Sequence, residues 1–238
     1  MNPYQKLFTR KRTWSPVQTT AGQLKEGAEE TIFRALAMRH MELPVGDFIN
    51  DALQHEIPEA ARDLLQSNVR DEENHDLALG YIANAIGVDE KAEAEAKRIR
   101  DAWVAHPDHT VLKAMVAERA IFFVLLPFFR FNGDAGLRTV SADISRDEQV
   151  HVAANSLVCR ELGLTVSPSL DRLRKATIAW VMQPLTSKAT SKYLDQKFWL
   201  DQSDSLMYSG KAEGLLETQR ARMPAFFEHA NPNLPQYA

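Results

Sequence analysis

Apolar residues recur at three- and four-residue spacing along most of this chain, with few alternating β-branched runs and long stretches free of glycine and proline. That periodicity predicts helices, so the expected fold class is all-α. One helix is expected over residues 21–53, with Ile32, Ala35, Met38, Val45 and Ile49 on one stripe and a distortion at Pro44. A second runs from about residue 58 through Leu64 and Leu65 to residue 86, where Gly87 supplies a C-terminal stop. DEKAEAEAKRIRDAW, from Asp89, is a charged amphipathic helix for the outside of the fold. A strongly apolar helix follows over residues 111–131 and ends at the turn signal NGD. The next starts near Asp134 and stops at Gly163. SPSLDRLRKATIAWV opens another, capped by Ser167 or Ser169, and the stretch to Arg222 is helical but less regular. The last ten residues, HANPNLPQYA, form an irregular tail.

At 238 residues with 45% hydrophobic content the chain has the material for one sizeable core. We divide it into an N-terminal arm over 1–20, a helical domain over 21–228 and a tail over 229–238. A net charge of −4 with no basic block argues against nucleic acid as a partner. Cys159 is the only cysteine and the N-terminus lacks a secretory apolar region, so a reducing cytoplasm is the expected location. The longest apolar run, AIFFVLLPFF from Ala120, is too short to span a bilayer, and no membrane association is expected.

The sequence repeats itself in one conspicuous place. RDEENHD starts at Arg70 and RDEQVHV at Arg146. In each, a Glu and a His stand three apart on a helix, so Glu72 with His75, and Glu148 with His151, project from one face and grip one ion. A dinuclear site in a four-helix bundle requires one further carboxylate from each of two other helices. Glu42 and Glu118 lie thirty residues before Glu72 and Glu148, and all three pairs (42 to 118, 72 to 148, 75 to 151) are separated by 76 positions. Gly87 and Gly163 each follow their His by twelve residues. The pattern predicts two helical hairpins related by a pseudo-twofold. Glu118 shares its face with Val111, Met115, Ile121 and Phe122, where an unpaired carboxylate costs several kcal/mol. Glu42 is preferred to Glu29 and Glu30, which suit the polar start of a helix without any metal. The competing explanation is a set of buried salt bridges to Arg70, Arg119 and Arg146.

Four carboxylates with two imidazoles suit two iron ions or a manganese/iron pair. We expect them bridged by a carboxylate of the Glu72 or Glu118 type, with Asp71 and Asp147 accepting hydrogen bonds from the liganding imidazoles.

VAERAIFFVLLPFFRFNGDAGLRTVSADISRDEQVHV resembles the radical-generating small (β) subunit of class I ribonucleotide reductase, and YQKLFTRKRTWSP resembles that family's segment ending in W-x-P. The likeness covers roughly residues 4 to 163. It implies a ferritin-like four-helix bundle with additional flanking helices. It implies Glu42, Glu72, His75, Glu118, Glu148 and His151 as metal ligands, and Trp14 with Asp147 as a relay of electrons and protons to the surface. It also implies a ribonucleotide reductase large (α) subunit as partner, a homodimer, and a role in deoxyribonucleotide synthesis for DNA replication. The chain departs from the family in three ways. Leu79 stands where the radical-bearing Tyr usually lies, with Tyr81 pointing elsewhere. Glu42 replaces the usual Asp, as in the manganese/iron subgroup and the related ligand-binding oxidases. The tail is reduced to ANPNLPQYA, with Tyr237 the candidate relay residue. Two other readings remain open: an oxygen-dependent oxidase, hydroxylase or desaturase on a small or acyl substrate, its pocket lined by Leu79, Phe122, Phe123 and Leu126, and a ferritin-like iron-binding protein.

Overall fold

In a computed structural model, which describes residues 1–55, 57–186, 189, 191–211 and 215, helices carry most of the described residues and no strand occurs among them. They are α1 (Pro3–Phe8), α2 (Glu29–Ala37), a 3-10 turn (Met38–Met41), α3 (Glu42–Ala52), α4 (Arg62–Ile86), α5 (Glu90–Ala105), α6 (Thr110–Ala117), a π-helical turn (Glu118–Phe122), α7 (Phe123–Asn132), α8 (Ala135–Glu161), α9 (Pro168–Met182) and α10 (Gln196–Ser209). No described helix is long and apolar enough to cross a membrane.

Local signals fix most of the boundaries. Asp89, Asp134 and Ser167 each accept a hydrogen bond from the backbone N–H three residues on, starting α5, α8 and α9, so Ser167 rather than Ser169 is the cap. Gly87 and Gly163 take φ values of 89° and 66°, a region that costs glycine little, and both stop their helices as expected. Two expected helices are interrupted. The one foreseen over 21–53 begins only at Glu29 and tightens into the 3-10 turn just before Glu42. Pro44 is not the cause: it lies in the first turn of α3, where its missing N–H removes no helical bond. The apolar helix foreseen over 111–131 widens into the π turn at Glu118.

The architecture is a ferritin-like four-helix bundle with flanking helices. Arg62 donates to the carbonyl of Leu53 while Gly46 abuts Glu72, so α3 and α4 form an antiparallel hairpin. Asn155 meets Glu118 while the α7–α8 turn closes at Gly133, so the α6–α7 rod and α8 form a second. The hairpins pack through α4 on α8 and α3 on α6, and α5 crosses between them outside, against α2 and α9. Trp103 anchors that crossing, fully buried with its indole N–H on Thr177 Oγ1 at 3.0 Å. α10 lies against α9, α7 and the π turn, and α1 lies across α4 and α8.

Gly133 permits the tight α7–α8 turn. A Cβ there would stand 2.5 Å from the Phe129 carbonyl oxygen and 2.8 Å from Leu137 Cδ2. Gly133→Ala is therefore expected to destabilise the fold by roughly 1–3 kcal/mol, seen as a lowered thermal midpoint by circular dichroism; an unchanged midpoint would show that the turn relaxes freely.

Candidate metal centre

The two repeated motifs fall near the middle of α4 and α8, the helices that face each other across the bundle. Three-residue spacing puts Glu72 with His75, and Glu148 with His151, on their inner faces. Glu42 opens α3 directly after the 3-10 turn, and Glu118 opens the π turn, so both remaining carboxylates stand where their helix changes pitch. A π turn rotates the side chains that follow it and is frequent at functional sites. Ser203 of α10 donates to the carbonyl of Ala120 within this turn at 2.6 Å, and buried Arg174 donates to Ser203 at 2.7 Å, so the outer helices brace it.

All six residues converge, each no more than 1% exposed. His75 Nδ1 lies 3.6 Å from Glu42, 3.3 Å from Glu72 and 3.4 Å from Glu148. His151 Nδ1 lies 3.0 Å from Glu72, 3.8 Å from Glu148 and 3.9 Å from Glu118. Two overlapping groups result: Glu42, Glu72, His75 and Glu148 bring one donor atom apiece within 4.8 Å of one another, and so do Glu72, Glu118 and His151. Glu72 and Glu148 each turn one oxygen to His75 and the other to His151, which makes them the straddling carboxylates. Glu118, expected as an alternative bridging carboxylate, lies at the His151 end, and Glu42 lies at the His75 end.

Among the described residues no arginine pairs with this cluster. Arg119 donates to the Leu206 carbonyl, Arg146 faces Asp143, and Arg70 is exposed. The oxygens or nitrogens aimed inward, among them both oxygens of Glu72 and Glu148, Glu42 Oε2, Glu118 Oε1 and both imidazole Nδ1 atoms, have no hydrogen-bond partner. Buried polar groups are nearly always satisfied, and buried like charges are costly. Six mutually facing donors without partners therefore fit a pair of cations held between them.

Around the cluster the two motifs support each other crosswise. Asp147 of the second motif accepts from His75 Nε2 at 3.3 Å, and Asp71 of the first from His151 Nε2 at 2.8 Å. An Nε2 proton committed to a carboxylate leaves each Nδ1 lone pair facing the cluster, the tautomer a metal ligand needs. The aspartates end differently. Trp14 Nε1 donates to Asp147 at 2.6 Å and its ring stacks on His75 at 6.2 Å between centroids. Lys11 is instead paired with Asp71 and donates to Asn68 at 3.1 Å. Sequence reasoning singled out Trp14 and both aspartates but missed Lys11, whose signal was its place three residues before Trp14. It also missed Asn155, which donates to Glu118 at 2.7 Å from a position four residues past His151 on the same helix face. The matching position in the first half, 76 residues earlier, is Leu79, a buried residue that offers Glu42 no donor. Tyr81 is half-buried on α4, and Tyr237 lies outside the described residues.

Electrostatics follow from burial. Desolvation raises Glu42, Glu118 and Glu148 above the ordinary carboxyl range, with neighbouring carboxylates adding to the rise. Burial also pushes Glu72 upward, but the imidazoles of His151 and His75 outweigh it and hold Glu72 low. Burial alone would lower the imidazoles; the surrounding carboxylates, led by Asp147 for His75 and by Glu148 for His151, raise both instead. Burial brings Lys11 down to about 8, against the pull of the carboxylates.

No protein-family model and no curated protein matches the chain. Among solved structures, it is similar to a protein from Bacillus halodurans assigned provisionally to the class I ribonucleotide reductases. The two share 14% sequence identity and a TM-score of 0.60, over 94% of this chain and 97% of that one. At that identity the likeness establishes a shared fold.

The shifts set the pH response of the metal-free chain. Glu42, Glu118, Glu148, His75 and His151 all have raised folded values, so each stabilises below its unfolded value, near 4.5 for Glu and 6.5 for His, and loses that contribution as pH rises. Glu72 and Asp147, held low, contribute above their unfolded values and change nothing at higher pH. The thermal midpoint of chelator-treated protein should therefore fall from pH 5 to pH 8, and metal reconstitution should flatten the slope. A metal-free midpoint that rises over this range would contradict the charge assignment.

Proposed function

We propose that the chain is a dimetal-carboxylate oxidoreductase that works as the radical-generating β subunit of a class I ribonucleotide reductase does. Glu42, Glu72, His75, Glu118, Glu148 and His151 would hold two ions, iron with iron or manganese with iron. Two ions held there would supply redox chemistry with dioxygen, and Leu79 stands where the family's radical-bearing tyrosine usually lies. Glu72 and Glu148, each facing both imidazoles, would contribute to both positions, and Asp71 and Asp147 hold the imidazole protons on Nε2. The surrounding apolar core, with Val116, Ile121 and Ile144 buried, excludes water from the carboxylates.

The observation that carries this reading is the continuous contact Trp14, Asp147, His75, which runs from a half-buried indole into the cluster. Iron storage has no use for such a wire. A relay to a partner does: it passes an electron inward while Asp147 keeps the imidazole proton. The partner on this reading is a large subunit whose cysteine is oxidised, with deoxyribonucleotide synthesis as the outcome and a homodimer as the assembled form. The oxidase reading asks for a substrate pocket beside the ions. Phe122 and Leu126 are instead buried in the continuous core. Two clefts, of about 390 and 370 Å³, lie at the α1–α8 seam and beside Trp180, and none of the six cluster residues lines either.

Two tests follow. His151→Ala should reduce metal content from two ions per chain to one, measured by elemental analysis; two ions retained would refute the assignment. After reconstitution in air, paramagnetic resonance should show a metal-centred signal with no sharp tyrosyl radical. With a candidate large subunit, Trp14→Phe should slow loss of that signal at least tenfold, and an unchanged rate would remove the relay.

A further inference from the structure

The two halves of the centre match in their ligand types but not in the charge behind them. Behind His75 stands Asp147, whose second contact is the neutral Trp14 indole, so no cation touches that carboxylate and the Lys11 ammonium attracts it only from beyond contact. Behind His151 stands Asp71, whose second contact is the Lys11 ammonium, with both side chains only 12% exposed. The rest of the shell reinforces the difference. Asn155 ties up one oxygen of Glu118 at the His151 end, whereas Leu79 leaves Glu42 at the His75 end free of any amide. Because Lys11 contacts Asp71 and not Asp147, an ion at the His75 end feels more uncompensated negative charge, in surroundings where screening is weak.

Resting on the dimetal reading above, we propose that Lys11 is a positioning residue that makes the two metal positions unequal: the position beside His75 and Glu42 binds its ion first and tightly, and the position beside His151 and Glu118 binds second and weakly. Lys11 acts through Asp71 and His151 and touches no ligand carboxylate. The arm that carries both Lys11 and Trp14 thus assigns a role to each half, cation behind one imidazole and indole behind the other. A centre built for two different ions needs such an inequality, and the six side chains offer the same residue types, Glu and His, to both ends.

Anaerobic titration with Mn²⁺, followed by the resonance signal of free Mn²⁺, tests this. Wild-type protein should take up two ions in two phases, and Glu118→Ala should lose the weaker phase while keeping the tighter. Lys11→Met should strengthen the weaker phase roughly tenfold, the effect expected of one partly screened buried charge, while Lys11→Arg keeps the wild-type separation. Removing Lys11 leaves Asp71 without its partner, so a second variant retains the lysine. Asn68 accepts from Lys11 through Oδ1, and its buried Nδ2 has no partner; Asn68→Asp neutralises the ammonium in place and should strengthen the same phase. A weaker phase unchanged or further weakened in both variants overturns the role of Lys11, as does loss of the tighter phase in Glu118→Ala. Fewer than two ions bound by the wild type would instead overturn the dimetal reading itself.

Discussion

Four carboxylates buried in an apolar bundle cannot all be ionised without compensating cations, and the rest of this structure is arranged around that constraint. Glu42, Glu72, Glu118 and Glu148 come from four separate rods, so the bundle brings together groups that repel one another. His75 and His151 relieve part of the charge, and among the described residues no arginine or lysine pairs with these four carboxylates. What holds the rods in register lies outside the cluster: the Trp103 anchor on α9, the tight turn at Gly133, and the Ser203 and Arg174 brace on the π turn. The fold thus supports a cluster that is unfavourable by itself and is suited to cations that would offset its charge.

Pitch changes are the means of aiming the outer pair. α4 and α8 are long regular helices, and the three-residue spacing of Glu and His within them does the aiming without distortion. Glu42 and Glu118 have no such partner on their own helices. Each follows or opens an irregular turn, 3-10 in one half and π in the other. The halves match in the linear order of their ligands yet differ in backbone, in the amide behind one carboxylate, and in the residues the N-terminal arm delivers to each aspartate. A duplicated hairpin has in this way become a centre with two distinguishable ends.

Much of this was legible in the sequence because its signals are local. Helical periodicity, the caps Asp89, Asp134 and Ser167, and the stops Gly87 and Gly163 depend on a few neighbouring residues. The 76-residue offset made the six converging side chains readable before any coordinates. The 3-10 and π turns were not readable, since they are imposed by packing against other helices, and Pro44, the residue that looked responsible, is innocuous at its position. Which carboxylates straddle the centre depends on side-chain direction across the bundle, so Glu148 could not be told from Glu118 by spacing. Lys11 and Asn155 were missed because their roles arise from contacts with residues 60 and 37 positions away.

The central claim, that six side chains enclose two ions, is tested most directly by anomalous diffraction from crystals reconstituted with manganese and iron. The account predicts two anomalous peaks per chain, one beside His75 Nδ1 and one beside His151 Nδ1, with Glu72 and Glu148 between them. A single peak, or peaks confined to the protein surface while the cluster stays empty, would contradict it.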